Sequence, residues 1–344
     1  MPDDSSKDLF AHPAQVLRLG KGLVDSGKAD QALVLARQAR AARPDDPLIE
    51  RIARTILYYK VPGYHHAMLR DHPRNAAYRR AIEAVAAGRV VLDIGSGSGL
   101  LAMLAARAGA AHVHTCEMLP QLAATAREII AANGLADRIT VHACHSGKLD
   151  RVRDLGGGAD LIVNEILSHD VVGERILPSM AHARAELAAP DALVLPERAS
   201  VRVALAQQAC SYEPLDEVEG FDLSLFNRHV KGQELRRPNR PDCTLRSAPA
   251  DLLTFDFTGQ IALEGRAAAA LLADGGTINC IAQWIHVDLV PGVTYENPPG
   301  ANPEGHWRTG LYAVDPSCTP AAGTPVTVHG WHDHESIQIW TDPA

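Results

Sequence analysis

The stretch Val90-Val-Leu-Asp-Ile-Gly-Ser-Gly-Ser-Gly-Leu100 joins an apolar run to a turn rich in glycine. The apolar run predicts a buried parallel strand, because strands of that kind are hydrophobic along their whole length. Residues 101–107 then predict a helix. Glycines allow the backbone to approach a ligand closely, and the N-terminus of a helix favours negative charge. The stretch therefore predicts the strand, turn and helix of a parallel α/β sheet, with a ligand site at the turn.

The glycine pattern, Gly95-x-Gly97-x-Gly99, differs from the G-x-G-x-x-G that binds the pyrophosphate of NAD or FAD. Asp93 ends the predicted strand just before it, and a second predicted strand ends in Glu117. An acidic residue at that place can accept hydrogen bonds from both ribose hydroxyls of a nucleoside. A glycine turn alone is as often structural as functional. Together with Asp93 and Glu117 at this spacing, it predicts an adenosyl site.

Two glutamates nine residues apart, Glu165 and Glu174, follow another apolar run at residues 161–163. A loop after a parallel strand lies at the carboxyl edge of an α/β sheet, where ligands bind. Two carboxylates there suit a planar, permanently cationic guanidinium, which they can bind through paired hydrogen bonds. Two arbitrary glutamates more often form a solvated acidic loop. With an adenosyl site upstream, however, they predict a guanidinium clamp formed by Glu165 and Glu174.

These motifs resemble the class I S-adenosylmethionine-dependent methyltransferases and, among them, the protein arginine methyltransferases. The resemblance runs from about residue 58 to the end of the chain. It leans toward the monomethylating branch and its tetratricopeptide-bearing relatives through residues 174–178 and the pair His145-Ser146. The segments that carry it, in the family's order, are the cofactor-closing helix with Met68 to Asp71 and Arg74, the glycine motif at 92–99, the ribose acid Glu117, the double-glutamate loop, the strand at 193–199, the stretch at 220–224 near the dimerisation arm, and Gly305-His306-Trp307 in place of a Thr-His-Trp loop.

The resemblance implies S-adenosylmethionine as the cofactor. It also implies methyl transfer to a guanidinium nitrogen of arginine in a protein or peptide, giving mainly monomethylarginine. Arg74 is expected to hold the methionyl carboxylate, a task that suits a guanidinium. The implied catalytic residues are Glu165, Glu174, His306 and Asp71; the implied cofactor contacts are Met68, Arg74, Asp93, Gly95, Gly97, Glu117 and Ser146; the implied substrate contacts are Trp307 and His65.

Three features depart from the family pattern. Gly305 replaces the usual threonine, and Gly147 stands where many members have a glutamate near the adenine, which leaves Ser146 as the expected contact. Residues 220–255 are short for a complete dimerisation arm. The chain also carries one catalytic module, whereas members of the monomethylating branch often carry two. We expect a homodimer.

Two other functions remain open from the sequence. The first is a methyltransferase of the same fold that acts on a small molecule or a non-arginine group, for which the guanidinium clamp would be unnecessary. The second is a cofactor-binding scaffold without activity, whose N-terminal helices recruit a partner. Intact Asp93, Glu117, Glu165 and Glu174 argue against a decayed site.

Composition limits the remaining classes of function. The chain has 344 residues, a net charge of −8 and six cysteines without a C-x-x-C pair. This acidic balance argues against a general nucleic-acid binder, and the scattered cysteines predict neither a metal site nor a disulfide framework. No apolar stretch approaches the roughly 18 residues of a membrane span, and the polar N-terminus lacks a signal-peptide core. These features predict a cytoplasmic protein.

The sequence predicts three domains. Residues 1–57 predict a tetratricopeptide-like helical hairpin, which as a single unit must dock onto the main domain or bind a partner. Residues 58–196 alternate strands and helices, as a Rossmann-like cofactor domain requires. Residues 197–344 contain β-like segments between proline and glycine breaks and predict an antiparallel β-barrel-like domain for substrate binding and dimerisation.

Overall fold

The computed structural model describes residues 9–208, 215–229, 232–236, 243–300 and 305–342. The first eight residues, predicted to lack a signal-peptide core, and Cys210 lie outside these ranges. The chain divides into two compact units. The first unit comprises the residues up to His66, Ile82–Asn164 and Ala185–Leu193, and the second comprises Ala67–Ala81, Glu165–Arg184 and the residues from Val194 onward. The three domains with borders near residues 57 and 196 stay a prediction.

The first unit begins with three helices, α1 (Pro13–Asp25), α2 (Ala29–Ala42) and α3 (Pro47–Tyr58). The sequence predicted only the first two. The third begins at Asp46, whose carboxylate accepts hydrogen bonds from the backbone N–H groups of Leu48 and Ile49, as an N-cap residue does. Gly20 lets α1 approach α3 closely, because a Cβ at that position would collide with Ile56. The three helices bury a shared apolar core that includes Val16, Leu35, Ile49, Ile52 and Ile56.

A five-stranded sheet forms the centre of the first unit, with the strand order β3-β2-β1-β4-β5. Strand β1 pairs in parallel with both β2 and β4, and Ile94 at its end lies level with Cys116 and Asn164. The glycine turn, Glu117 and Glu165 are therefore the residues that directly follow three aligned strand ends. The strands are β1 (Val90–Ile94), β2 (His112–Cys116), β3 (Ile139–His142), β4 (Ala159–Asn164) and β5 (Ala188–Leu195), and the intervening helices are α6 (Leu100–Arg107) and α7 (Pro120–Ala132).

Two helices precede this sheet, α4 (His65–Leu69) and α5 (His72–Val85), and α8 (Ile176–His182) follows β4. Residues 174–175, just before α8, lie in a turn in which Arg175 has a φ of 61°, and Ala183–Leu187, just after α8, form a π-helical turn.

The second unit is rich in antiparallel strands, as predicted. Its largest sheet has the order β10-β6-β13-β15-β9, with β11 on β6 and β14 on β13, and a separate sheet has the order β12-β16-β17. Among the described residues these strands do not close into a barrel. The strands are β6 (Arg198–Gln208), β7 (Glu217–Val218), β8 (Phe221–Asp222), β9 (Gln233–Arg236), β10 (Cys243–Leu245), β11 (Ala250–Asp256), β12 (Gly265–Leu272), β13 (Ile278–Val290), β14 (Val293–Glu296), β15 (Thr309–Cys318), β16 (Pro325–His332) and β17 (Ile337–Thr341).

Strand β13 lies in the middle of the large sheet, and its successive side chains point to opposite faces of that sheet. Cys280, Ala282 and Trp284 contribute to one apolar cluster, together with Leu311 of β15. Gln283 points to the opposite face. Within the described ranges, no helix combines the length and the apolar character needed to cross a bilayer.

Candidate active site

The glycine turn after β1 is bonded to the acidic residue after β2. The backbone N–H of Gly97 donates to Glu117 Oε2 at 3.0 Å, and Leu119 N–H donates to Glu117 Oε1 at 2.8 Å. Gly95 and Gly97 have φ of 88° and 50°, in the left-handed region that favours glycine. Burial raises the pKa of Glu117 above its usual value, although these backbone donors oppose the rise. The turn and the carboxylate are thus fixed relative to each other.

Further polar groups lie at this edge of the sheet. Thr115 donates from Oγ1 to Asp93 Oδ2 at 2.7 Å, and both residues are buried. The hydroxyl of Ser96 is buried without a hydrogen-bond partner among the described residues. Ser146 is also buried and begins the 3-10 turn Ser146–Lys148. A buried acid, two small hydroxyl side chains and a glycine turn suit the polar edges of a nucleoside.

In the second unit, Asp71 accepts hydrogen bonds from three separate segments. Its Oδ2 accepts from the hydroxyl of Tyr295 at 2.8 Å and lies 3.0 Å from His306 Nδ1, while Oδ1 accepts from Arg74 N–H at 3.1 Å. The last bond places Asp71 at the start of α5, where an aspartate stabilises the first turn. Burial alone would raise the pKa of Asp71, but the bonds from His306, Arg74 and Tyr295 outweigh it and hold that pKa below its usual value.

Glu165 forms a buried ion pair with Arg74 through its Oε2, and the side chains of the two are only 5% and 2% exposed. Its Oε1 has no hydrogen-bond partner among the described residues, and His306 Nε2 lies 3.6 Å from it. The predicted residues Asp71, Arg74, Glu165 and His306 therefore lie together. Arg74, expected at the methionyl carboxylate, is paired here with the first glutamate of the clamp, and its cofactor role stays a prediction.

Trp307 lies under the loop that carries the glutamates. Its indole N–H donates to Leu167 O at 2.7 Å, its ring is 4.6 Å from that of His306, and the residue is 3% exposed. Asn297 donates to Trp307 O at 3.1 Å and fixes the backbone there. The predicted contact of Trp307 with the substrate stays a prediction, since in this structure the indole supports the loop.

The other predicted residues differ in exposure. Glu174 lies in an exposed turn before α8. Met68 is partly buried on α4, in the second unit. The ring of His65 lies beside that of Tyr64, tilted by 37° with centroids 4.6 Å apart. Burial, and to a smaller extent repulsion from His66, lowers the pKa of His65. The sequence did not predict roles for Tyr295 and Asn297, because each acts through a contact with a residue distant in sequence or across a loop.

Comparison with known proteins identifies the family. The chain is 40% identical over 330 residues to the arginine N(omega)-methyltransferase of Streptomyces achromogenes subsp. streptozoticus, and the match covers 92% of this chain and 90% of that protein. The chain belongs to the arginine N-methyltransferase family. It is thus an S-adenosylmethionine-dependent arginine methyltransferase, as the sequence predicted.

Other relatives agree with this membership. The methyltransferase is 27% identical to protein arginine N-methyltransferase 7 of Drosophila yakuba over 323 residues, which cover 80% of this chain and 47% of that longer protein. A family model described as ribosomal protein L11 methyltransferase (PrmA) matches residues 72–190, a range that ends before the antiparallel strands of the second unit.

Solved structures confirm the fold. The Trypanosoma brucei PRMT1 enzyme–prozyme heterotetrameric complex with AdoHcy has a TM-score of 0.71 at 26% identity, and the alignment covers 79% of this chain and 88% of that one. A structure of PRMT6 with SAH has a TM-score of 0.64 at 21% identity, and the alignment covers 81% of this chain and 99% of that one. A Rossmann-like sheet followed by an antiparallel domain is therefore the fold of this methyltransferase.

The residues of the first unit fit the cofactor. The Ser96 hydroxyl, which has no hydrogen-bond partner among the described residues, offers a donor, and the fixed carboxylate of Glu117 offers acceptors. Both belong to a site whose glycine turn allows a ligand to come close to the backbone. Glu117 would hold the ribose hydroxyls, and Ser146 would contact the adenine. When bound, S-adenosylmethionine supplies a methyl group already activated by its sulfonium.

Proposed function

We propose that the guanidinium clamp, Glu165 and Glu174, binds the guanidinium of the arginine substrate and orients one of its nitrogens for methyl transfer. The observation that supports this most directly is the buried Oε1 of Glu165, which has no hydrogen-bond partner among the described residues while Oε2 is paired with Arg74. A buried acceptor without a hydrogen bond is unfavourable, and a positively charged N–H donor would form a strong hydrogen bond with it. A guanidinium supplies five such donors.

The two carboxylates contribute by position and charge. Holding the attacking nitrogen in line with the methyl group removes much of the entropic barrier. Negative charge beside the guanidinium stabilises the positive charge that is shared there during the reaction. Since the pKa of arginine exceeds about 12, no side chain removes its proton before the transfer.

His306 is proposed to take up the proton released with or after the transfer. Its Nδ1 faces Asp71 at 3.0 Å and donates to that carboxylate, so in the neutral ring the lone pair is on Nε2. That nitrogen lies 3.6 Å from Glu165 Oε1, beside the proposed guanidinium position. Asp71 would then stabilise the charged imidazolium.

The substrate has two candidates. An arginine residue in a protein or peptide is the substrate that the sequence resemblance implies. Free arginine is the second candidate, because the Streptomyces relative that matches nearly the whole chain is named for arginine and the Drosophila relative for protein arginine. The acidic net charge of −8 favours cationic substrates of either kind.

We expect labelled S-adenosylmethionine to give a product with a single added methyl group, identified by mass spectrometry after exhaustive turnover. An enzyme can discriminate between arginine and monomethylarginine, which differ by one methyl group, by only about 1–3 kcal/mol. A minor dimethylated product is therefore compatible with the proposal. An arginine peptide, its lysine counterpart and free L-arginine are assayed in parallel. Methylation of the lysine peptide but of neither arginine substrate would overturn the proposal, and dominant dimethylarginine would overturn its monomethyl part.

We also propose that the methyltransferase forms a homodimer through an arm defined by residues 215–229. This short segment exposes large apolar side chains: Phe221 is 72% exposed, Leu225 72% and Phe226 63%. Asn227 closes the base of the arm by accepting from Leu215 N–H and donating to Leu215 O, both at 2.8 Å. Residues 230–231 and 237–242, in the remainder of the predicted arm, lie outside the described residues.

The double substitution of Phe221 and Leu225 by aspartate is expected to convert the dimer into a monomer in light scattering after size-exclusion chromatography. Charged side chains cannot be buried in an apolar interface without a partner. Leu272→Asp, at a residue 62% exposed on β12, is the matched control and should leave the mass unchanged. A wild-type mass equal to one chain would contradict the proposal. Partner binding by the N-terminal helices and a cytoplasmic location stay predictions.

A further inference from the structure

The loop that joins the two glutamates of the clamp holds an unfavourable backbone conformation. Val171 has a φ of 72°, in the left-handed region, which is a rare and costly position for a β-branched residue. Such a conformation persists only where surrounding contacts determine it. Some of these contacts are internal: Gly173 N–H donates to Ser168 Oγ at 2.7 Å and to Asp170 Oδ1 at 3.1 Å.

Two buried side chains of the second unit hold the same loop from outside. Trp307 donates to Leu167 O at 2.7 Å, and Gln283 donates from Nε2 to His169 O, also at 2.7 Å. Leu167 and His169 are two residues apart, between Glu165 and Glu174. The two donors thus fix two carbonyl groups, one on each side of Ser168, in the segment between the two glutamates.

Gln283 is an unusual residue for its place. It lies in the middle of β13, is 0% exposed, and has apolar neighbours Ala282 and Trp284 in the strand. A buried amide is costly unless it forms hydrogen bonds, and its Oε1 has no partner among the described residues. The hydrogen bond from Nε2 to His169 O is therefore the contact that offsets the free-energy cost of burying this amide.

We propose that Gln283 is a positioning residue for methyl transfer: through His169 O it sets the path of the loop and hence the placement of Glu174 relative to Glu165. The inference rests on the proposed role of the guanidinium clamp. Gln283 touches neither substrate nor cofactor in this proposal, so its loss acts on the substrate side of the reaction and leaves cofactor binding intact.

The test compares Gln283→Met with Ile281→Met. Methionine has nearly the length of glutamine but lacks the donor, and Ile281 is a fully buried residue on the same strand and face. Gln283→Met should lower kcat/KM for the arginine substrate by about 10- to 100-fold, since small displacements of positioning groups have effects of that size. Its Kd for S-adenosylhomocysteine should match that of wild type, and Ile281→Met should retain activity.

A double-mutant cycle separates positioning from a general structural role. If Gln283 acts through Glu174, the double variant Gln283→Met with Glu174→Gln should be no less active than Glu174→Gln alone, because coupled residues are non-additive. Additive losses, or full activity of Gln283→Met, would overturn the proposal. Should Gln283→Met fail to fold, Gln283→Leu replaces it; if neither folds while Ile281→Met does, the amide serves folding and the proposal is wrong. Full activity of Glu174→Gln alone would instead contradict the guanidinium clamp.

Discussion

Glu174→Gln is expected to reduce turnover on an arginine substrate by a factor of about 30 to several thousand, equivalent to about 2–5 kcal/mol for a charge-assisted contact whose partner is left unpaired. Glu174 is exposed, and interactions of an exposed carboxylate contribute at most about 1 kcal/mol, so its substitution should lower the free energy of unfolding by no more than that. Steady-state kinetics and urea denaturation measure the two effects.

Glu165→Gln should differ from Glu174→Gln in stability while matching it in activity. Glu165 and Arg74 are both almost fully buried, and removing one charge leaves the other uncompensated. Breaking such a pair costs about 3–5 kcal/mol of folding stability. Loss of activity in both variants, with loss of stability only in Glu165→Gln, is the expected pattern.

Glu186→Gln serves as the control for this comparison, because Glu186 is an exposed glutamate in the π-helical turn after α8. It should retain wild-type activity and stability. Wild-type turnover in either clamp variant would show that the glutamate does not bind the guanidinium.

Glu117→Ala is expected to weaken binding of S-adenosylhomocysteine by about two to three orders of magnitude, since hydrogen bonds to a charged group contribute about 1.5–3 kcal/mol each. The substitution removes both the proposed ribose acceptor and the acceptor for Gly97 N–H and Leu119 N–H. Gly97→Val should have an effect in the same direction, because a β-branched residue is strained at a φ of 50°. Titration calorimetry measures both.

Glu128→Gln, at an exposed glutamate on α7, is the control for cofactor binding. It should bind S-adenosylhomocysteine like the wild type. Undiminished affinity in both Glu117→Ala and Gly97→Val would remove the proposed cofactor site, and equal affinity for NAD would favour a dinucleotide.

The sequence predicted the parts of the fold that depend on local patterns. The apolar runs that became β1 and β4 needed no knowledge of the rest of the chain, and neither did the glycine turn. The third N-terminal helix was not predicted, because a helical hairpin has only two helices, but Asp46 and Pro47 form the start of a third. The β-rich segments were recognised, but the way strands pair depends on distant residues.

The same distinction applies to the active site. Motif residues such as Glu165 and His306 could be found from their local context and the family resemblance. Tyr295 and Gln283 could not, because a tyrosine and a glutamine within β-strands have no distinctive pattern. Their roles follow from hydrogen bonds to Asp71 and to His169 O, across 224 and 114 residues of sequence.

The several bonds to Asp71 limit how this enzyme can change over evolutionary time. The Asp71 carboxylate caps a helix, orients His306 and accepts a hydrogen bond from Tyr295. A substitution of Asp71 therefore affects all three contacts at once. Contacting residues of this kind do not contribute additively. We therefore expect Asp71, Tyr295 and His306 to change together in evolution. A relative that replaces Asp71 without compensating changes would lose both the helix cap and the orientation of His306.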